Sequence, residues 1–189
     1  MKIKSNLKYC VFLLIGLGLV ACQHTDRGGN VTNDRAKPSK DVTNMSKIDG
    51  DGAAFMDTAA VGGMMEVDLG KLALEKSSNA QVRKFAALMV ADHTKANTDL
   101  KAIAVKLEHL LPSTYPSDVK AHMEEMGKLT GKEFDIHYMD MMVKDHVKTL
   151  DLFRSASSLR HEIRDFAKNT LPVLEKHHQM AKEIRTNLK

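Results

Sequence analysis

Met89-Val90-Ala91-Asp92-His93-Thr94-Lys95 and Met142-Val143-Lys144-Asp145-His146-Val147-Lys148 are two copies of one pattern, M-V-x-D-H-x-K. Each copy sits in a long stretch rich in Ala, Leu, Met, Lys and Glu, with sparse Gly and Pro and no strand-like alternation, so each reads as helix. On a wheel of about 100° per residue, the histidine of each copy falls near the middle of the apolar stripe. An imidazole placed there must find a partner, because an unpaired buried polar group is costly. The repeat therefore points to a helical bundle with a polar site inside it.

Working outward, the same signals predict four long helices. The first runs from about Ala53 to Lys76. The second opens at Ser78, where Ser78-x-x-Gln81 reads as a capping box, and ends before Pro112. A short helix fits Ser117 to Leu129. The third long helix opens at a second capping box, Thr130-x-x-Glu133, and runs to about Ser155. The fourth spans about Leu159 to Leu188, with Pro172 expected to kink it near Asn169.

The apolar stripes carry further polar residues at core-facing positions. On the first helix the stripe is Phe55, Ala59, Leu69 and Ala73, with Glu66 central and Gly62, Gly63 and Gly70 around it. On the fourth it includes Ile163, Phe166, Leu174, Ala181 and Ile184, with His177 inside. Connectivity decides whether these groups meet. If the segment from Pro112 to Gly131 runs back along the bundle, the second and third long helices are parallel, and Glu66, His93 and His146 lie within about 5 Å of one level. His177 is expected one to two turns off that level, depending on where the fourth helix starts. A simple up-down-up-down bundle would instead place Asp135 level with His93. The matching contexts of the two histidines favour the returning crossover.

A bundle of two hairpins joined by one long crossover is the ferritin-like arrangement. Residues 53–185 resemble the bacterial domain-of-unknown-function family 4142. The residues that carry the resemblance are Phe55, Ala59, Gly62-Gly63, Glu66, Gly70 and Ala73, Val82-Arg83-x-Phe85-Ala86, Met89-Val90-x-Asp92-His93, Leu111-Pro112, Gly131-x-x-Phe134-Asp135-x-x-Tyr138, Met142-Val143-x-x-His146 and Leu171-Pro172-x-Leu174-x-x-His177. The resemblance implies an all-α, ferritin-like four-helix bundle with a short crossover helix between helices 2 and 3, in an exported or outer-membrane protein. It implies no agreed activity.

Ferritin-like di-iron centres use Glu-x-x-His pairs. Here Val90, Val143 and Leu174 stand three residues before His93, His146 and His177, and carboxylates are too few for such a centre. Glu66, His93, His146 and His177 could together hold one divalent transition metal; imidazole suits Zn, Cu, Fe or Ni. The alternative is a buried hydrogen-bonded network that fixes the packing of four helices. Met89, Met139, Met142 and Met180 lie near these histidines, but methionine at helical spacing is usually core filling. Asp92 and Asp145 read as i,i+3 partners of Lys95 and Lys148 or as orienting partners of the histidines. His137 falls on the polar face. His109, His122, His161 and His178 form no constellation in the sequence.

The N-terminus reads as an address. Lys2, Lys4 and Lys8 precede an apolar stretch from Val11 to Val20 that is too short to span a bilayer, followed by Leu19-Val20-Ala21-Cys22, which resembles a bacterial lipobox. The expected organisation is a lipoprotein signal peptide over 1–22, a flexible tether over 23–52 and the helical domain over 53–189. Lipidated Cys22 would anchor the chain in the envelope, and Gln23, which is not the retention-favouring aspartate, points to the outer membrane, facing the periplasm.

Cleavage removes Cys10, and lipidation occupies Cys22, so thiol catalysis, zinc-finger sites and Fe–S clusters are excluded from the domain. It also removes three lysines and no acid, lowering the formal charge from +4 to +1, which does not support a nucleic-acid footprint. No nucleophile elbow, phosphate loop or H-E-x-x-H helix is present. The expected role is binding or envelope maintenance rather than catalysis, alone or with an envelope protein partner. The alternative is a metal-binding or metal-dependent redox protein built on the Glu/His cluster.

Overall fold

A computed structural model describes residues 48–188. The expected signal over 1–22, Cys22 and residues 23–47 of the expected tether lie outside the described residues. Five α-helices and no strand occur among the described residues: α1 (Gly50–Lys76), α2 (Ala80–Lys106), α3 (Ser117–Lys128), α4 (Gly131–Ser155) and α5 (His161–Asn187). None of them is long and apolar enough to cross a membrane.

Local chemistry sets the helix starts. α1 begins at Gly50, three residues before the expected Ala53, because the Asp49 side chain accepts from the Gly52 amide at 2.7 Å. α2 is capped by Asn79, whose side chain accepts from the Gln81 and Val82 amides at 2.9 and 3.2 Å. The expected Ser78 capping box does not form; Asn79 is one residue closer to the helix and serves both amides. The Arg83 guanidinium donates back to the Leu74 and Ser77 carbonyls, fastening the three-residue α1–α2 turn. Thr130 stands at the N-cap of α4, but its side chain makes no cap hydrogen bond. Gly131 opens that helix at φ +56°, a left-handed conformation that favours glycine. α5 continues without interruption through Pro172.

The link from α2 to α4 returns along α1. The His109 amide donates to the Ala104 carbonyl at 3.0 Å while Glu108 takes φ +55°, which closes the end of α2 in a Schellman-like turn. His109 Nε2 then pairs with Asp57 at 2.7 Å, the Tyr115 hydroxyl donates to Asp68 at 2.8 Å, and Lys76 Nζ donates to the Leu129 carbonyl at 3.1 Å. From Asp57 to Lys76 these ties follow α1 for about 28 Å.

Because the chain returns, α2 and α4 run parallel. One apolar layer joins the start of α1, the end of α2, the end of α4 and the start of α5 through Phe55, Leu100, Leu107, Leu150, Phe153 and Phe166. The other joins the opposite ends through Leu69, Phe85, Met89, Phe134, Tyr138 and Ile184. Phe55 packs against Phe153 with centroids 5.2 Å apart and planes tilted by 59° in the first layer, and Phe134 stacks on Tyr138 at 5.9 Å in the second. The two layers are separate clusters, and the buried polar residues of the helix centres fall between them.

Candidate metal centre

Glu66, His93, His146 and His177 are all buried. Each lies within three residues of its helix midpoint, the midpoints of α1, α2, α4 and α5 being positions 63, 93, 143 and 174. His177 therefore reaches the same level as the others rather than one or two turns away. The imidazole rings form a near-equilateral triangle, with centroids 5.9 Å apart for His93 and His146, 5.3 Å for His93 and His177, and 5.6 Å for His146 and His177. One potential ligand nitrogen from each ring lies within 4.8 Å of the other two.

One nitrogen of each ring faces an acceptor. His93 Nδ1 lies 2.9 Å from Glu66 Oε2, His146 Nδ1 donates to the Met142 carbonyl at 2.9 Å, and His177 Nε2 lies 2.8 Å from Asp92 Oδ2. Glu66 Oε1 is also 3.5 Å from His146 Nδ1. These acceptors favour the tautomers in which His93 Nε2, His146 Nε2 and His177 Nδ1 carry the lone pairs. Those three nitrogens are buried, and none has a hydrogen-bond partner among the described residues.

Protonation states suit this arrangement. Burial holds the His177 imidazole down at about 4 despite its bond to Asp92, and burial also lowers His146 against the opposing pull of Glu66. Both rings are therefore neutral near pH 7. Burial alone would raise Glu66, but the attraction and hydrogen bond of His93, with His146 and His177 behind it, leave its carboxyl below the ordinary value. An ionised carboxylate set against three imidazoles is a donor set that fits a divalent cation and supplies part of its compensating charge.

A cavity of about 750 Å³ borders the centre. Glu66 and His93 are in its wall, with Ala59, Leu100, Leu152 and Phe166 among its apolar lining and Tyr115 and Lys148 among its polar lining. Gly62 also lines it, and a Cβ there would meet nothing within 4 Å. His146 and His177 do not border this cavity. Asp92 lines a second cavity between α2 and α5.

Several expectations are corrected. Asp92 holds the ring of His177 on α5, and its expected partner Lys95 pairs with Asp99 at 2.5 Å instead. Sequence spacing could not show this bond, because Asp92 and His177 are 85 residues apart. Asp145 does pair with Lys148, at 3.1 Å. Asp135 and Tyr138 are buried in the second apolar layer; Asp135 Oδ1 and the Tyr138 hydroxyl have no hydrogen-bond partner among the described residues. His109, which formed no constellation in the sequence, is engaged with Asp57.

The chain belongs to the family Domain of unknown function (DUF4142), whose model matches residues 37–184. No curated protein matches it. Among solved structures the chain is similar to a DUF305 fragment from Deinococcus radiodurans, at 11% identity and a TM-score of 0.67 over 74% of this chain and 98% of that one. It is also similar to a DUF305 protein from Streptomyces coelicolor, at 13% identity and a TM-score of 0.65 over 76% of this chain and 94% of that one. At such identities the shared property is the helical fold.

Proposed function

We propose that this domain binds one divalent transition-metal ion through His93, His146 and His177, at the level where its two apolar layers meet. The observation that carries this reading is the convergence of three buried imidazoles, each offering a nitrogen within 4.8 Å of the other two and each keeping one ring nitrogen without a hydrogen-bond partner among the described residues. A packing network would pair those atoms with one another or with other side chains. Instead each ring is fixed by an acceptor on its far nitrogen, the arrangement that orients and strengthens metal-ligating histidines.

Glu66 sits behind His93 and beside His146. We assign it as the carboxylate that orients His93 and balances the charge of the ion, rather than as the fourth donor expected from the sequence. Three histidine donors suit Zn, Cu, Fe or Ni, and a three-ligand set leaves a position for water or a small molecule. The cavity beside His93 and Glu66 supports access to that position.

The lipobox supports a location in the bacterial envelope, with Cys22 lipidated and the domain tethered to the outer membrane on its periplasmic side. In that setting the role is metal binding at the membrane surface. Elemental analysis of chain purified without chelator tests the reading: about one Zn, Cu, Fe or Ni per chain supports it. Chain that carries none and takes up none of the four on titration contradicts it.

A further inference from the structure

We propose a second metal site, on the surface between α3 and α4, formed by His122, His137 and Met141 and selective for a soft ion of the Cu(I) class. His122 is on α3, and His137 and Met141 are on α4. His137 and Met141 are four residues apart on one helix and so share a face. Across the helix pair, His122 Nε2 lies 2.7 Å from Met141 Sδ, and the His122 and His137 rings are 6.0 Å apart with planes inclined by 38°. Two imidazoles and one thioether thus meet at one place.

The chemistry of this set differs from that of the core. A thioether is a soft, weakly basic donor that adds little affinity for Zn or Fe but suits Cu(I), and imidazole is compatible with the same ion. Met141 is buried at the edge of the second apolar layer, while both histidines are exposed. Packing therefore fixes the sulfur, and the histidines are free to close over an arriving ion. A hydrogen bond from His122 to sulfur is the structural alternative; such bonds are weak and would leave His137 without a role beside the pair. The site needs no residue of the three-histidine centre, and the two can fail independently.

The test is Cu(I) binding to the whole chain, read by competition with a chromophoric Cu(I) chelator and by X-ray absorption at the copper edge. A sulfur shell is expected in the wild-type spectrum and should be lost in Met141→Leu. Affinity should fall roughly tenfold or more in Met141→Leu, His122→Ala and His137→Ala, while Zn(II) uptake by the core histidines is unchanged. The two histidine variants alter exposed side chains, so they decide the question even if Met141→Leu disturbs the layer beneath. A sulfur shell that persists in Met141→Leu, or Cu(I) affinity indifferent to both histidine variants, overturns the proposal. Loss of Zn(II) binding in His146→Gln with Cu(I) binding intact is the pattern expected if the sites are separate.

Discussion

His93 Nδ1 lies 2.9 Å from Glu66 Oε2, so the carboxylate engages one edge of the imidazole ring, and the other nitrogen lies inside the bundle with no hydrogen-bond partner among the described residues. This pairing joins α1 to α2 at mid-length and gives Glu66 the role of an orienting group. Glu66→Gln keeps the shape and an acceptor oxygen but removes the charge. It should weaken metal affinity about 10- to 100-fold without abolishing binding. Calorimetric titration checks this; complete loss would place the Glu66 carboxylate in the coordination sphere instead.

Asp92 plays the corresponding part for His177, across the α2–α5 contact. Asp92→Ala leaves His177 Nε2 without its acceptor and removes the bias between the two tautomers. Metal affinity should fall by about tenfold or more, whereas Asp145→Ala, which removes the half-buried partner of Lys148 and touches none of the three rings' acceptors, should leave it unchanged. Equal affinities for the two variants would contradict the assigned role of Asp92.

Acid should weaken the metal-free fold. His177 is held at about 4 by burial, below its ordinary value of 6.5, so the unfolded chain takes up a proton that the native chain refuses. Stability is complete above pH 6.5 and is lost as pH falls from there towards 4, with a loss on the order of 2 kcal/mol by pH 5. His146 acts in the same direction. Glu66, lowered from 4.5, adds a loss only below that pH. Urea unfolding at pH 7 and pH 5 measures the difference; stability that is flat between them would contradict the neutral, buried imidazoles.

Two glycines of α1 should respond with opposite signs. A Cβ at Gly62 meets nothing within 4 Å, so Gly62→Ala should stabilise the fold by about 0.5–1 kcal/mol through helix propensity. A Cβ at Gly70 would lie 2.8 Å from Val90 Cγ2 and 3.1 Å from the Ala86 carbonyl, forcing α1 away from α2. Gly70→Ala should therefore cost about 1–3 kcal/mol. Thermal melts of the two variants settle both signs.

The long-range features of this fold were legible where periodicity carried them. The repeated M-V-x-D-H-x-K placed His93 and His146 on facing stripes, and the length of the Pro112–Gly131 segment indicated the returning crossover. Cap positions were less legible: Ser78 and Asn79 are both good capping residues one position apart, and only the backbone path of the α1–α2 turn selects Asn79. The orienting partners were not legible at all. Asp92 lies about 100° around α2 from His93, but its neighbour on α5 is fixed by how the two hairpins pack. The His122 and Met141 contact depends in the same way on where α3 docks, which sequence spacing does not state.

The central claim is most directly tested by titrating Zn(II) into metal-free chain by calorimetry, using a His122→Ala background so that the surface residues do not contribute. The three-histidine centre predicts binding of one ion per chain and a rise in melting temperature reversed by EDTA. Both effects should be absent in His146→Gln, with a far-ultraviolet spectrum confirming that this variant is folded. Absence of binding heat, together with a melting temperature indifferent to Zn, Cu, Ni, Fe and EDTA, would contradict the account and leave the histidines as a packing layer.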